Sequence, residues 1–267
     1  MTLNGRSTST TNRPAVIAHR GASHLAPENT MVAFAAAVEA GADGIELDVH
    51  LSADGVPVVI HNAGVEGTTS GTGQVSNLTL AQLQALDAGA HFSPAYAGER
   101  IPTLEQVFAV FGNRLTTAGD RVRINVEIKP QPLGVTGLEL AVVELIHDFG
   151  LEDTVWVSSF KPYSLASVHR LAPEIGCGLL YSPLTLSALF LAPVTPFEAF
   201  HPHVSLVRPW FVRLAHKLDR RVIVWTVDCP ARVRDLVRWG VDGIITNEPG
   251  QIRAGFSLSR GSGEPEE

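Results

Sequence analysis

The sequence predicts an α/β fold, a closed (β/α)₈ TIM barrel with a small insertion after the second strand. Short apolar, β-branched runs alternate with helical patterns, and this alternation is typical of a parallel sheet. Eight such units occur along the chain, and its 267 residues suffice for one barrel. The 45% hydrophobic and 18% charged residues are typical of a folded chain and exclude a disordered one.

The eight strand runs are short and bounded by turn-forming residues. They span residues 15–18, 44–51, 122–128, 155–159, 178–181, 204–207, 222–227 and 243–246. The helical patterns between them cover residues 29–40, 103–111, 137–148, 162–171, 210–218 and 231–239. Gly41 ends the first helix, since glycine readily adopts the left-handed conformation after a helix end.

A ninth run, residues 56–61, cannot return parallel to the second strand. Only residues 52–55 separate the two, whereas a parallel connection needs a dozen or more residues. The Ala53-Asp54-Gly55 turn signal predicts a hairpin that brings His61 roughly opposite Glu46. This hairpin opens the insertion, which extends over about residues 51–101.

We expect one domain over residues 14–256, with flexible tails at residues 1–13 and 257–267. The most apolar stretch, residues 184–200, is interrupted by Pro193 and Pro196 and is too short for a transmembrane segment. The first 13 residues have no apolar core of a secretion signal, so a cytoplasmic location is expected. The sequence carries no signal for an oligomeric state.

The net charge bears on the choice of partner. Twenty Lys and Arg residues against 27 Asp and Glu residues leave a formal charge of −7. Nucleic-acid binding depends on clustered basic residues that replace counterions, so we predict that no nucleic acid binds.

Ionisable residues collect at the carboxyl ends of the first three predicted barrel strands, where barrels of this kind have their active sites. Glu46 and Asp48 lie two residues apart on one strand, and so do Glu127 and Lys129 on the next. Three carboxylates crowded together repel each other, and a divalent cation is the usual remedy. Since the three ligands are all oxygens, Glu46, Asp48 and Glu127 predict one hard ion, Mg²⁺ or Ca²⁺.

Two of the ten histidines are expected to overhang this cluster. His19 ends the first strand and His61 ends the hairpin, and two imidazoles can act as acid and base in one transfer. Arg20 and Lys129 add positive charge that would hold a phosphoryl group. His50 alternates with Glu46 and Asp48 but is a weaker candidate.

These residues resemble those of the glycerophosphodiester phosphodiesterase family over about residues 14–250. The matching motifs are His19-Arg20-Gly21, Pro27-Glu28-Asn29-Thr30, Asp43 to Val49, Asp54 to His61, Leu86 to Gly89, Ile101 to Glu105, Asn125 to Lys129, Ser158 to Phe160 and Gly240 to Asn247. The chain departs from the family at Asn62, where an aspartate usually follows the histidine, and in the glycine-rich, arginine-free residues 64–69.

The resemblance implies metal-dependent hydrolysis of a small glycerophosphodiester to glycerol 3-phosphate and an alcohol, through a cyclic phosphate. It implies that the insertion is a cap over the barrel mouth and that the enzyme serves lipid and glycerol metabolism. Mn²⁺ is a further possible ion. The implied site residues are His19 and His61 as acid and base; Glu46, Asp48 and Glu127 as metal ligands; and Arg20, Lys129, Trp225 and Phe160 as substrate-binding residues.

Two other interpretations stay open from the sequence. A lysophospholipase D or sphingomyelinase D relative would need an apolar groove beside the site, and Leu186, Leu189, Phe190 and Phe197 could supply one. An inactive barrel that binds phosphodiesters would need a substituted site, and none of the catalytic positions is substituted.

Overall fold

A computed structural model describes residues 13–132, 134 and 136–258 of the chain, and it confirms the predicted barrel. The sheet order is β1-β9-β8-β7-β6-β5-β4-β2-β3, and β1 also pairs with β2, which closes the barrel. The strands are β1 (Ala15–His19), β2 (Gly44–Leu51), β3 (Pro57–Val59), β4 (Arg123–Ile128), β5 (Val155–Ser159), β6 (Gly176–Tyr181), β7 (Ala199–Pro202), β8 (Arg221–Val224) and β9 (Gly243–Thr246). All pairings are parallel except that of β2 with β3.

The helices surround the barrel, except for the short α2, which belongs to the insertion. They are α1 (Met31–Glu39), α2 (Leu80–Ala85), α3 (Leu104–Phe111), α4 (Leu138–Asp148), α5 (Pro162–Leu171), α6 (Pro209–Lys217), α7 (Pro230–Trp239) and α8 (Pro249–Leu258). A 3₁₀ segment, Leu186–Val194, occupies the place of a helix after β6. Thr79 and Thr103 begin α2 and α3 with capping boxes, which satisfy the free N–H groups of the first turn.

The apolar core lies between the barrel and its helices. Phe34, Phe108 and Phe111 are buried in the largest cluster, against β2, β4 and β5. The insertion has a small core of its own, which includes Val65, Val75 and Leu83. The barrel strands therefore stand on a packed scaffold that holds their carboxyl ends in place.

The sixth predicted strand, residues 204–207, is wrong. Val204–Leu206 forms a 3₁₀ turn, and the strand lies upstream at Ala199–Pro202. The alternation of Val204, Ser205 and Leu206 imitates a strand, but Phe200 packs on Phe197 at 4.9 Å between ring centroids and anchors the upstream segment instead.

The predicted hairpin is confirmed, but its register differs by one residue. Val49 pairs with Val59, which centres the turn on Asp54, and β3 ends two residues before His61. His61 therefore lies beyond the strand and not opposite Glu46.

The predicted tails lie mostly outside the described residues, and α8 extends two residues past the predicted domain boundary. Among the described residues, none of the helices has the length and apolar character needed to cross a membrane. The cytoplasmic location stays a prediction.

Candidate active site

The strand register brings the predicted site residues together at the carboxyl end of the barrel. His19 on β1 is level with Glu46 on β2, and Glu46 is level with Asn125 on β4. Two residues further along these strands, Asp48 on β2 is level with Glu127 on β4. Because alternate residues of a strand share a face, these side chains point into the barrel, where a core would otherwise have aliphatic residues.

Three buried carboxylates form the centre of the site. Glu46, Asp48 and Glu127 are 3%, 1% and 8% exposed. Each offers an oxygen, and these oxygens all lie within 4.8 Å of one another. The buried amide oxygen of the adjacent Asn125 has no hydrogen-bond partner among the described residues. Such a group of oxygens suits a hard divalent cation, so the residues fit the predicted metal.

Two basic side chains balance part of this negative charge. Lys129 Nζ lies 2.6 Å from Glu127 Oε1 and 3.0 Å from Asp48 Oδ1. Arg20 Nε lies 3.3 Å from Asp48 Oδ2. Asp48 is therefore the carboxylate that both cations contact.

The three carboxyl groups differ in pKa. Burial opposes ionisation of Asp48, but the charges of Lys129 and Arg20 outweigh it and hold its pKa well below the usual range. Burial and the negative charges of Asp48 and Glu127 raise the pKa of Glu46 well above its usual value. Burial raises the pKa of Glu127 to about 7, although Lys129 opposes the shift. Glu46 and Glu127 therefore favour a proton or a cation.

The His-Arg-Gly sequence forms a tight turn that aims Arg20 at the carboxylates. Arg20 and Gly21 have φ angles of 57° and 83°, both in the left-handed region. A Cβ at position 21 would lie 2.6 Å from the backbone carbon of Ala33, so only glycine fits there. The turn lets the backbone N–H of Arg20 donate to Glu46 Oε2 at 2.9 Å, while its guanidinium donates to both oxygens of Glu28 at 3.0 Å.

The two histidines flank the carboxylates and are held through their Nδ1 atoms. His19 Nδ1 lies 2.7 Å from Asn247 Oδ1, and His61 Nδ1 lies 2.9 Å from Asn62 Oδ1. Burial lowers the pKa of both rings. His50 does not line the cavity; its Nε2 lies 3.1 Å from the carbonyl oxygen of His61 and supports that segment.

The site opens into a cavity of about 460 Å³, a volume that includes the open space at its mouth. Seven of its lining residues are polar or charged and form one wall, and four apolar residues form the other. The lining residues are His19, Arg20, Glu46, His61, Asn125, Glu127, Lys129, Phe160, Leu180, Trp225 and Ile245. Asp48 is the one predicted site residue that lies beneath the surface of the cavity.

Trp225 forms the apolar wall from the position directly after β8. Its Nε1 donates to the carbonyl oxygen of His201 at 2.7 Å, and its ring meets Phe160 edge to face at 5.5 Å. These contacts fix the indole next to Leu180 and Ile245. One side of the cavity thus suits a charged group and the other an apolar or neutral one.

Sequence reasoning missed three residues that hold the site. Asn29 Nδ2 donates to Asp48 Oδ2 at 2.8 Å, and Asn247 and Asp228 form a chain of hydrogen bonds behind His19. Asn29 and Asn247 occur in the matched motifs, but nothing in their spacing indicated a partner. Asp228 had no signal at all.

The four residues that could have formed a lipid groove do not line the cavity. Phe197 is 5% exposed and packs in the core, and Leu189 packs partly against it. Leu186 and Phe190 are 45% and 86% exposed on the 3₁₀ segment.

Comparison with known proteins gives consistent matches. Residues 19–251 match the glycerophosphoryl diester phosphodiesterase family. A glycerophosphodiester phosphodiesterase from Caldanaerobacter subterraneus is 41% identical over 234 residues, which is 88% of this chain and 94% of the relative. One from Bacillus altitudinis is 35% identical over 88% of this chain and 94% of the relative.

Solved structures have the same fold. A phosphodiesterase from Oleispira antarctica, in complex with the product sn-glycerol-3-phosphate, superposes with a TM-score of 0.80 at 30% identity and covers 92% of this chain and 97% of its own. A glycerophosphodiester phosphodiesterase from Agrobacterium tumefaciens superposes with a TM-score of 0.77 at 27% identity, over 90% of this chain and 99% of its own.

Proposed function

The chain belongs to the glycerophosphoryl diester phosphodiesterase family, and we propose that it hydrolyses glycerophosphodiesters to glycerol 3-phosphate and an alcohol by two-histidine catalysis with one divalent cation. The phosphodiesterase activity itself follows from membership of the family. The observation that carries the finer proposal is the clustering of three buried carboxylates with two basic side chains and two histidines, of which all but Asp48 line the cavity.

The cation would be held by Glu46, Asp48 and Glu127 and would be Mg²⁺ or Ca²⁺, with Mn²⁺ as a further candidate. When bound, it would act as a Lewis acid that stabilises negative charge on the phosphate and favours ionisation of the glycerol hydroxyl. Arg20 and Lys129 line the same cavity and would bind the non-bridging phosphate oxygens.

The two histidines would move the protons. In the first step, the neighbouring glycerol hydroxyl forms a bond to phosphorus and gives its proton to one histidine. The bond from phosphorus to the leaving alcohol breaks, and the alcohol oxygen takes a proton from the other histidine. Water then opens the cyclic phosphate with the two roles exchanged, which yields glycerol 3-phosphate.

The apolar wall would receive the neutral or apolar part of the substrate, with Trp225 and Phe160 as contacts.

We propose that residues 14–256 act as one domain and that the insertion, residues 51–101, is a cap over the mouth. Two contacts support the cap. The Tyr96 hydroxyl donates to the Leu25 carbonyl oxygen at 2.9 Å, and the Val59 N–H donates to the Pro102 carbonyl oxygen at 2.8 Å, which joins the two ends of the insertion.

An assay of glycerol 3-phosphate release tests the proposal. Glycerophosphocholine, glycerophosphoethanolamine and glycerophosphoglycerol are incubated with each cation or with EDTA. We expect release that EDTA abolishes, and a fall of about 10²–10⁴ in rate for His19→Ala and for His61→Ala. His147→Ala is the control, since His147 pairs with Glu174 on the outer surface.

Failure to release glycerol 3-phosphate from any of these substrates with any of the three cations would favour a non-catalytic binding protein. Choline release from lysophosphatidylcholine but not from glycerophosphocholine would favour the lysophospholipase D interpretation.

A further inference from the structure

A chain of hydrogen bonds runs behind His19, away from the cavity. His19 Nδ1 lies 2.7 Å from Asn247 Oδ1, and Asn247 Nδ2 donates to Asp228 Oδ2 at 2.7 Å. The three residues follow or end the neighbouring strands β1, β9 and β8. The chain therefore crosses the carboxyl end of the barrel where the sheet closes.

The carboxylate determines which way the amide points. A carboxylate can only accept hydrogen bonds, so the nitrogen of Asn247 must face Asp228 and its oxygen must face His19. Asp228 is itself fixed, because its Oδ1 accepts from the Thr246 hydroxyl at 2.9 Å and from the Asn247 backbone N–H at 2.8 Å. The Ser23 hydroxyl donates to the same amide oxygen at 2.9 Å, so this oxygen has a second partner beside His19.

The amide in turn determines where His19 carries its proton. An amide oxygen has no proton to give, so the neutral ring must have its proton on Nδ1. Nε2 then carries the lone pair. Among the described residues no group bonds to Nε2, and the ring lines the cavity, so this nitrogen is available to substrate.

The second histidine lacks such a support. His61 Nδ1 meets Asn62 Oδ1 at 2.9 Å, but Asn62 is exposed, and its Nδ2 has no hydrogen-bond partner among the described residues. The Asn62 amide can rotate and accept or donate to the ring. The two histidines thus differ in the constraint on their tautomers, although each has an asparagine at Nδ1.

We propose that Asp228 and Asn247 are positioning residues that hold neutral His19 in the Nδ1–H tautomer, with Nε2 free for proton transfer to and from the substrate. The catalytic part of this inference rests on the proposed function, whereas the tautomer does not. By analogy with the hydrogen-bond partners that orient metal-bound histidines, we expect loss of either residue to change activity by about 10- to 100-fold.

The Asp228→Asn variant tests the direction of the hydrogen bonds from Asp228 through Asn247 to His19. With an amide at 228, its Nδ2 faces the Nδ2 of Asn247, and the Asn247 side chain is expected to rotate. That rotation turns a donor toward His19, which must then accept at Nδ1 and carry its proton on Nε2. The double variant Asp228→Asn/Asn247→Asp restores an acceptor opposite His19 Nδ1. It also keeps every other hydrogen bond of this series.

The experiment measures the ¹⁵N chemical shifts of the His19 ring in the full-length protein at a pH where the ring is neutral, with His19→Gln for assignment. We expect the Nδ1–H form in the wild type, the Nε2–H form in Asp228→Asn, and the Nδ1–H form again in the double variant. Steady-state kinetics should show kcat reduced about 10- to 100-fold in the single variant with KM little changed, and recovered in the double variant. Asn77→Ala, at an exposed position of the insertion, is the control.

An unchanged His19 tautomer in folded Asp228→Asn, or a double variant that folds without recovering it, would overturn the inference. If Asp228→Asn does not fold, Asn247→Leu takes its place, and the loss of the single Nδ1–H form is then the expected result. A wild-type enzyme that shows the tautomer pattern but releases no glycerol 3-phosphate would leave the tautomer assignment intact and refute the proposed function.

Discussion

The ammonium group of Lys129 donates a 2.6 Å hydrogen bond to Oε1 of Glu127, within the carboxylate cluster proposed to bind a metal. The protein thus supplies a cation of its own where three carboxylates meet. Lys129 is only 9% exposed, so its charge acts with little screening by water. The stability of the metal-free protein should depend on it.

Replacement of Lys129 by methionine leaves Asp48 and Glu127 without their nearest cation. We expect a clear loss of stability in EDTA, since breaking a buried ion pair costs about 3–5 kcal/mol. Added Mg²⁺ should recover more stability in Lys129→Met than in the wild type. Urea unfolding with EDTA and with Mg²⁺ measures both effects, with the exposed Lys161→Met as control. An equal gain from Mg²⁺ in both proteins would contradict this interpretation of the cluster.

Glu46 and Asp48 should respond in opposite ways to loss of charge. Glu46→Gln relieves a repelled carboxylate, so the metal-free variant should be at least as stable as the wild type. Asp48→Asn removes the partner of both Lys129 and Arg20, so it should be less stable. Both should lose Mg²⁺ affinity and activity. Calorimetric titration with Mg²⁺ and thermal unfolding in EDTA distinguish these effects, and a similar destabilisation in both variants would refute the assignment.

The stability contributed by Glu127 should fall as the pH rises. Its pKa is about 7 in the folded protein against an ordinary 4.5, so the native state holds the proton more tightly. The extra stability is fully present below pH 4.5 and is lost as the pH rises through 7, up to about 3 kcal/mol. The difference between wild type and Glu127→Gln, from urea unfolding in EDTA at pH 5 to 8, should show this trend. A difference that is independent of pH would count against it.

His201 should make the protein sensitive to acid. It is fully buried, neither ring nitrogen has a hydrogen-bond partner among the described residues, and burial lowers its pKa to about 3. The unfolded chain binds a proton near pH 6.5 and the native state does not, so stability falls as the pH drops below 6.5.

His201→Leu should therefore gain about 2 kcal/mol over the wild type between pH 7.5 and pH 5. Thermal or urea unfolding at the two pH values tests the expectation, with the exposed His91→Leu as control. If the relative stability of the variant does not change with pH, the ring is not kept neutral by burial.

Local patterns in the sequence were enough to predict the barrel and the inward carboxylates. Glu46 and Asp48 follow from the alternation of one strand, and Glu127 from that of another. Where a pattern had two meanings, the prediction failed: residues 204–207 alternate like a strand but form a turn, because aromatic packing at Phe200 fixes the strand upstream.

The supporting hydrogen bonds could not be predicted because their partners are far apart in the chain. Asn29 and Asp48 are separated by 19 residues, and His19 and Asn247 by 228. Only the closure of the barrel brings β9 beside β1. A sequence motif identifies such an asparagine but not the atom to which its side chain is hydrogen-bonded.

His61 differs from the other proposed acid–base and metal-binding residues in the part of the fold that holds it. His19, Glu46, Asp48 and Glu127 belong to the closed barrel, whereas His61 follows β3, the extra strand that begins the insertion. An exchange of the insertion between relatives would therefore replace the proposed proton-transfer group His61 together with the proposed cap. With the roles proposed above, a change of the insertion would alter substrate preference and turnover together, so engineering one of them would require adjusting the other.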